Sequence, residues 1–319
     1  MDHIAAFLKY LSAVRGRSPL TVSTYTSTLR NLERFLLTQD TEIDWTLVDK
    51  DRIRLWVAAC MERGLKPPTV KRSLCALRTF FRYLMLEGVV DKSPMQLIPN
   101  PKAGHPLPVY VRESEMDRLL DGITFPDDFI GRRDHLILLT FYSTGIRLSE
   151  LIGIDTADVG WERAELRVLG KRNKQRVVPL GPEMLHALRS YAAEREQLCA
   201  VHDGPLFVDR KGRRLRPEAV RSVVRRYLSL VTTVEKRTPH VLRHTFATVM
   251  LNNGADLEAV KNLLGHDSIA TTQIYTHTNF REMQRAYATA HPHSHAGTAS
   301  DADTSSGSDA PDAPGISAD

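Results

Sequence analysis

Four short segments in the second half of this 319-residue chain gather polar side chains of the kind that handle an anion. In Ser143-Thr144-Gly145-Ile146-Arg147-Leu148-Ser149-Glu150, a glycine interrupts the chain just before a helix start and an arginine sits in the opening turn. The free backbone N–H groups of a helix start and a planar guanidinium both suit a phosphate oxygen. The same arginine equally fits a structural ion pair with Glu150. Lys171 stands in the turn between two β-rich runs, where a flexible ammonium reaches a substrate but where solvated lysines are also common. In Thr238-Pro239-His240-Val241-Leu242-Arg243-His244, Thr238 is the N-cap and Pro239 the first helical residue, so His240 falls in the first turn with Arg243 on the same face. The fourth segment runs from Leu263-Leu264-Gly265-His266 to Tyr275-Thr276-His277, with Gly265 as a helix stop, Ser268 as a fresh N-cap and Tyr275 near the end of the short helix that follows. Tyr142, Tyr191, Tyr227 and Tyr287 lack such company and read as packing residues.

A metal centre is the main competing chemistry. His240 and His244 have the i, i+4 spacing of zinc sites, but Val241 stands where the zinc-protease motif needs Glu, and no acidic third ligand is placed nearby. No metal and no cofactor is expected.

The elements that position these residues follow from periodicity. Residues 1–98 read as four helices: Ile4, Phe7, Leu8 and Leu11 share one face, Leu29, Leu32, Phe35 and Leu36 a second, Ile53, Val57 and Met61 a third, and Leu74, Leu77, Phe80, Phe81 and Leu84 a fourth. Ser18-Pro19 and Pro67-Pro68-Thr69 mark helix starts, Gly64 and Gly88 helix stops. Residues 99–110 hold Pro99, Pro101, Pro106 and Pro108 with no apolar period, and form a semi-extended linker. Residues 111–290 are a second domain, mostly helical, interrupted by a hairpin of Glu165–Gly170 and Gln175–Leu180. Residues 291–319, built of Ser, Ala, Asp, Gly and Pro, read as a disordered acidic tail.

Charge narrows the partner. The net charge of +5 includes five Asp in the tail, and without them 43 basic residues face 33 acidic ones. A body this basic favours a polyanion, with nucleic acid the leading candidate. Arg30, Arg34, Lys71, Arg72, Arg78 and Arg82 on the first-domain helices suit a DNA groove or its phosphates, and equally suit a solvated face. No run of about 18 uncharged apolar residues is present and the N-terminus lacks a secretory signal, so a cytoplasmic protein without membrane contact is expected. Cys60, Cys75 and Cys199 are odd in number and lie in apolar segments, and read as reduced packing residues.

Taken in order, Ser-Thr-Gly-Ile-Arg147-Leu-Ser-Glu-Leu, Gly-Lys171 in a hairpin, His240-Val-Leu-Arg243-His-Thr-Phe-Ala, Leu-Leu-Gly-His266 and Thr-Gln-Ile-Tyr275-Thr-His strongly resemble the tyrosine recombinases of the phage integrase family, and most nearly the bacterial Xer type. The resemblance covers all but the acidic tail. It implies a mainly α fold: an N-terminal four-helix, SAM-like core-binding domain and a mostly helical catalytic domain with a small β-sheet. It implies that Arg147, Lys171, His240, Arg243, His266 and Tyr275 form the active site of a DNA breaking and rejoining enzyme, with Tyr275 as nucleophile. The chemistry of each residue agrees. Two guanidiniums stabilise charge building on a phosphodiester under attack. His240 accepts the phenol proton, Lys171 protonates the leaving 5′-oxygen, and His266 donates to a phosphate oxygen. The 3′-phosphotyrosyl product keeps the bond energy, so religation needs neither metal nor nucleotide. Arg172 replaces a glycine common in the family's turn, which leaves Lys174 as a rival acid. The implied partners are duplex DNA with an inverted-repeat site clamped between the two domains, three further subunits in a homotetramer or a heterotetramer with a related recombinase, and a DNA translocase as activator. Phe280, Met283, Ala286 and Tyr287 suggest a last helix that docks on a neighbouring subunit or, alternatively, on its own domain. Resolution of chromosome or plasmid dimers is the first expectation, followed by integration or inversion of a mobile element, and then by a DNA-binding relative without catalysis.

Overall fold

Proline and capping residues set the helix starts of the first unit, which spans Met1–Pro106. The computed structural model describes residues 2–102, 109–170, 174–199, 203–265 and 285–292. Helix α1 (His3–Ala13) is capped by Asp2, whose carboxylate accepts from the Ala5 N–H. Helix α2 (Pro19–Leu36) begins with the Ser18 cap and Pro19 in its first turn. Helix α3 (Lys50–Glu62) is capped by Asp49, and α4 (Pro67–Leu86) opens on proline without a side-chain cap. Gly64 and Gly88 end α3 and α4 with φ of +82° and +67°, a region that costs L-residues energy.

The four apolar faces meet in a core holding Phe7, Leu32, Trp56, Phe80 and Phe81. Edge-to-face rings tighten it, as where Trp45 meets Phe80 at 4.9 Å. The α3 face differs from the expected one. Met61 is 39% exposed, and the buried residues are Ile53, Trp56 and Cys60. Steps of i+4 overshoot the helical repeat by about 40° each, so by the second step Met61 has rotated out, whereas i, i+3, i+7 stays within a narrow arc.

The second unit spans Leu107–Asp319. Helix α5 (Glu113–Leu120) precedes the long α6 (Phe129–Thr144), whose last nine residues, 136–144, are all buried. α6 packs against α8 (Pro182–Cys199) and α10 (Pro239–Asn252). Between α6 and α8 lie the short α7 (Leu148–Gly153) and a three-stranded antiparallel sheet in the order β1 (Val159–Gly160), β2 (Glu165–Leu169), β3 (Gln175–Pro179). The β2–β3 hairpin has the strands expected of it, and β1 adds a strand too short to show an alternating pattern. In the register Leu166 pairs with Val178 and Val168 with Arg176, all four on the buried face. Helices α9 (Pro217–Val231) and α11 (Leu257–Leu264) complete the main body.

A helical stretch at 285–290 follows, and Tyr287 and Ala290 pack with Phe246, Met250 and Leu264 of the same chain. His291, expected to begin the acidic tail, is instead 1% exposed. Its Nε2 donates to the Tyr142 carbonyl at 3.1 Å, and its ring stacks on Tyr287. The tail boundary therefore moves past His291, because that imidazole has both a ring partner and a carbonyl to satisfy it. Residues 293–319 lie outside the described residues.

Candidate active site

The site is built where two helices end. α6 stops at Gly145 (φ +58°), and a Cβ there would stand 2.4 Å from Phe246 Cδ1. Only glycine fits both the backbone turn and the space. Two residues later Arg147 is the N-cap of α7, and its backbone N–H donates to Glu150 Oε2 at 2.8 Å. α11 stops at Gly265, also left-handed with φ +61°. Helix ends leave carbonyls without intrahelical partners and carry partial negative charge.

Three arginines fill that need in succession. Arg176 Nε donates to the Leu263 carbonyl at 2.8 Å, Arg243 Nη2 to Leu264 at 2.8 Å, and Arg147 Nη2 to Gly265 at 2.9 Å. Arg243 Nη1 also donates to the Gly145 carbonyl at 2.7 Å, so it spans the ends of α6 and α11. One carboxylate ties the other two arginines together. Glu150 accepts from Arg176 through both oxygens, at 2.9 and 2.8 Å, and from Arg147 Nη1 at 2.8 Å.

The electrostatics follow from the count. Three guanidiniums face one carboxylate, and the remaining acceptors are uncharged carbonyls, so the cluster carries excess positive charge. Burial and the neighbouring charges of Arg147 and Arg176 lower the pKa of Arg243 to about 10, which still leaves it protonated at neutral pH. Burial opposes ionisation of Glu150, but the hydrogen bonds and charge of Arg176, with those of Arg147, bring it down to about 2. A cluster of this kind is suited to an anion that gains charge during reaction.

Arg147 and Arg243, both anticipated, are thus brought onto consecutive carbonyls. Arg147 makes the structural ion pair with Glu150 that its sequence allows, and its side chain remains 36% exposed. His240 lies in the first turn of α10 as expected, but it is exposed while Arg243 is buried. The i, i+3 pair is offset by about 60° around the helix, enough to divide it between solvent and core. His244, half-buried, has its pKa lowered by burial and by His240. Lys171, His266 and Tyr275 lie outside the described residues; their neighbours Gly170 and Gly265 lie within them.

Two features went unnoticed in the sequence. Arg176 is one, although an arginine alternating with Val178 on a core-facing strand is a signal that it has a buried partner. The other is the exposed basic run from Arg210 to Arg216, partly neutralised by Asp128, Asp209 and Asp155.

The basic residues of the first unit are a mixed group. Arg30 pairs with Asp2 and Glu33, Arg34 donates to the Arg30 carbonyl, and Arg78 is held by Asn100 and the Ile98 carbonyl. Lys71, Arg72 and Arg82 are exposed. Arg72 lines a cleft of about 370 Å³ together with hydroxyls of Ser23, Ser27, Thr69 and Ser73. Among the described residues no helix is long and apolar enough to cross a membrane.

Comparison with known proteins identifies the family. Residues 110–282 match the phage integrase family, and residues 4–88 match the phage integrase N-terminal SAM-like domain. Tyrosine recombinase XerC of Chlorobaculum tepidum is 35% identical over 315 residues, covering 91% of this chain and 94% of that protein. Among solved structures, the XerH site-specific recombinase bound to a palindromic difH substrate in a post-cleavage complex aligns with a TM-score of 0.69 at 24% identity, covering 89% of this chain and 84% of that one. A lambda integrase tetramer bound to a Holliday junction aligns with a TM-score of 0.64 at 16% identity, covering 86% and 79%.

Proposed function

Because this chain belongs to the phage integrase family of tyrosine recombinases, enzymes that break and rejoin DNA, we propose that it is an Xer-type recombinase resolving chromosome or plasmid dimers. The observation that carries the chemistry is the convergence of Arg147 and Arg243 on the carbonyls of Gly265 and Leu264. The dimer-resolution role is supported by likeness to XerC along nearly the whole length of both chains.

In this reading Tyr275 Oη attacks the scissile phosphorus while His240 takes the phenol proton. The Tyr275 Oη–P bond forms as the P–O5′ bond breaks, and Lys171 gives a proton to the departing 5′-oxygen. Arg147, Arg243 and His266 hold the non-bridging oxygens, where charge accumulates. Religation reverses these steps with a hydroxyl from another strand. Lys71, Arg72 and Arg82 contact the phosphates of an inverted-repeat site, and Arg30, Arg34 and Arg78 join them once DNA competes for their present partners. Four subunits act together on two sites, by analogy with the lambda integrase tetramer on its junction.

The test is covalent trapping without divalent metal, on a nicked substrate carrying the host chromosome's terminus-region Xer-type site. A protein–DNA adduct that is joined through the 3′-phosphate of the broken strand and vanishes in Tyr275→Phe is the expected result. Adduct in Tyr275→Phe sinks the nucleophile assignment. Absence of specific binding to that site overturns the dimer-resolution role in favour of a mobile-element recombinase with its own site.

A further inference from the structure

Arg176 has three hydrogen bonds and no evident part in holding the phosphate. It is 5% exposed on the inner face of β3, its Nε is given to the Leu263 carbonyl, and its two terminal nitrogens are given to the two oxygens of Glu150. What rests against it is more telling. A Cβ on Gly265 would stand 3.1–3.3 Å from Arg176 Cδ, Nη1 and Cζ, so that glycine packs directly on the arginine. A Cβ on Gly170 would stand 3.5 Å from Glu150 Oε1 and 3.7 Å from Arg176 Nη1, so the base of the β2–β3 hairpin lies on the ion pair. The Gly170 N–H closes that base on the Lys174 carbonyl at 2.7 Å.

Arg147 and Arg243 also have anchors of their own in the carbonyls of Gly145, Leu264 and Gly265, although Arg147 shares Glu150 with Arg176. The hairpin's β2 packs against α7 and its β3 against α11, and Arg176 is the side chain of the hairpin that joins this frame by hydrogen bonds. A fork with five donors in fixed directions can hold one carboxylate and one carbonyl together, which a point-charge ammonium cannot.

We propose that Arg176 is a positioning residue that fixes the base of the β2–β3 hairpin to the Glu150 frame, so that protonation of the leaving group from this hairpin is set in register with the phosphate held by Arg147 and Arg243. The proposal rests on the reading of Lys171 as the acid. Its signature is selective: losing Arg176 impairs the step that needs a proton on the leaving atom more than it impairs DNA binding or nucleophilic attack.

A substrate with sulfur in place of the bridging 5′-oxygen isolates that step, because the P–S bond breaks to release a stable thiolate that needs no proton. Single-turnover adduct formation is measured on paired oxygen and sulfur substrates carrying the site that the wild-type chain cleaves. The proteins are wild type, Lys171→Ala, Arg176→Lys and Arg176→Met, each checked for folding by thermal melting and for binding by gel shift. Arg176→Lys retains the cation and is the variant to read if Arg176→Met does not fold. On the oxygen substrate, Lys171→Ala and Arg176→Lys are each expected to slow by about 100-fold, the usual scale of acid catalysis. On the sulfur substrate both return to within a few-fold of wild type. The double variant Arg176→Lys with Lys171→Ala should be no slower on oxygen than Lys171→Ala alone, since the two act through one step.

If folded Arg176→Lys cleaves the oxygen substrate at the wild-type rate, or is equally slow on both substrates while Lys171→Ala is rescued by sulfur, Arg176 does not position the acid. If Lys171→Ala is not rescued by sulfur but Arg176→Lys is, the Lys171 assignment fails instead and the hairpin's acid is another group.

Discussion

The two units use the same side chain in opposite ways. In the first, arginines of α2 and α4 sit half-buried or exposed, tied to a pair of partners, as Arg30 is to Asp2 and Glu33 and Arg78 to Asn100 and the Ile98 carbonyl, or to none described, as with Arg72 and Arg82. In the second, Arg176 and Arg243 are buried and bridge several groups, most of them backbone carbonyls at helix ends. A surface guanidinium exchanges partners at little cost, so it suits a polyanion that binds in many registers and is screened by salt. A buried one is held in place by carbonyls that cannot move without unravelling helices, so it suits a transition state whose charge appears at one point. In the proposed function it is placement, more than charge, that separates binding from catalysis.

Substitutions should divide along the same line. Arg243→Ala is expected to lower the single-turnover rate of adduct formation by about a thousand-fold or more while site affinity changes only a few-fold. Comparable losses in both would give Arg243 the binding role proposed for the first-unit arginines. Glu150→Gln removes the carboxylate that two guanidiniums share, and leaves them buried or half-buried without a counter-charge. Thermal or urea unfolding should show a loss of about 3 kcal/mol; a stable variant would show that the carbonyls alone hold the frame.

Acid should reproduce that loss in the native protein. Because Glu150 is held down to about 2 against an ordinary value of 4.5, the folded state favours its ionised form. Its contribution is complete above about pH 4.5 and is lost as pH falls towards 2. Unfolding curves across that window should be steeper in the native protein than in Glu150→Gln. The smallest effect belongs to the first unit. Arg72→Ala should weaken DNA binding several-fold and flatten the salt dependence by about one counterion, with the cleavage rate at saturating DNA unchanged. A change in that rate would give Arg72 a place in the chemistry.

Much of this division was readable from local sequence signals. Pro19, Pro67 and Pro239 open their helices, and Gly145 and Gly265 close theirs. Arg147 falls at a helix start as its neighbours require. On α3 the stripe through Val57 and Met61 and the buried one through Trp56 and Cys60 are both apolar, and composition alone does not separate them. The burial of His291 is not legible in the polar residues that follow it, because besides the nearby Tyr287 its ring partners are Tyr142 and Phe246, far away along the chain.

Helix boundaries, strand alternation and the order of the reactive residues are local properties, set by backbone sterics, caps and side-chain period, and the chain carries them in plain view. The arginine frame is another matter. Its bonds join residues 118, 98 and 87 positions apart, from Arg147 to Gly265, Arg243 to Gly145 and Arg176 to Leu263. Which carbonyl an arginine finds depends on how two helix ends pack, and packing is fixed by the whole core at once. Folding alone could reveal that Glu150 is shared and that Arg176 stands beneath the glycines that precede Lys171 and His266.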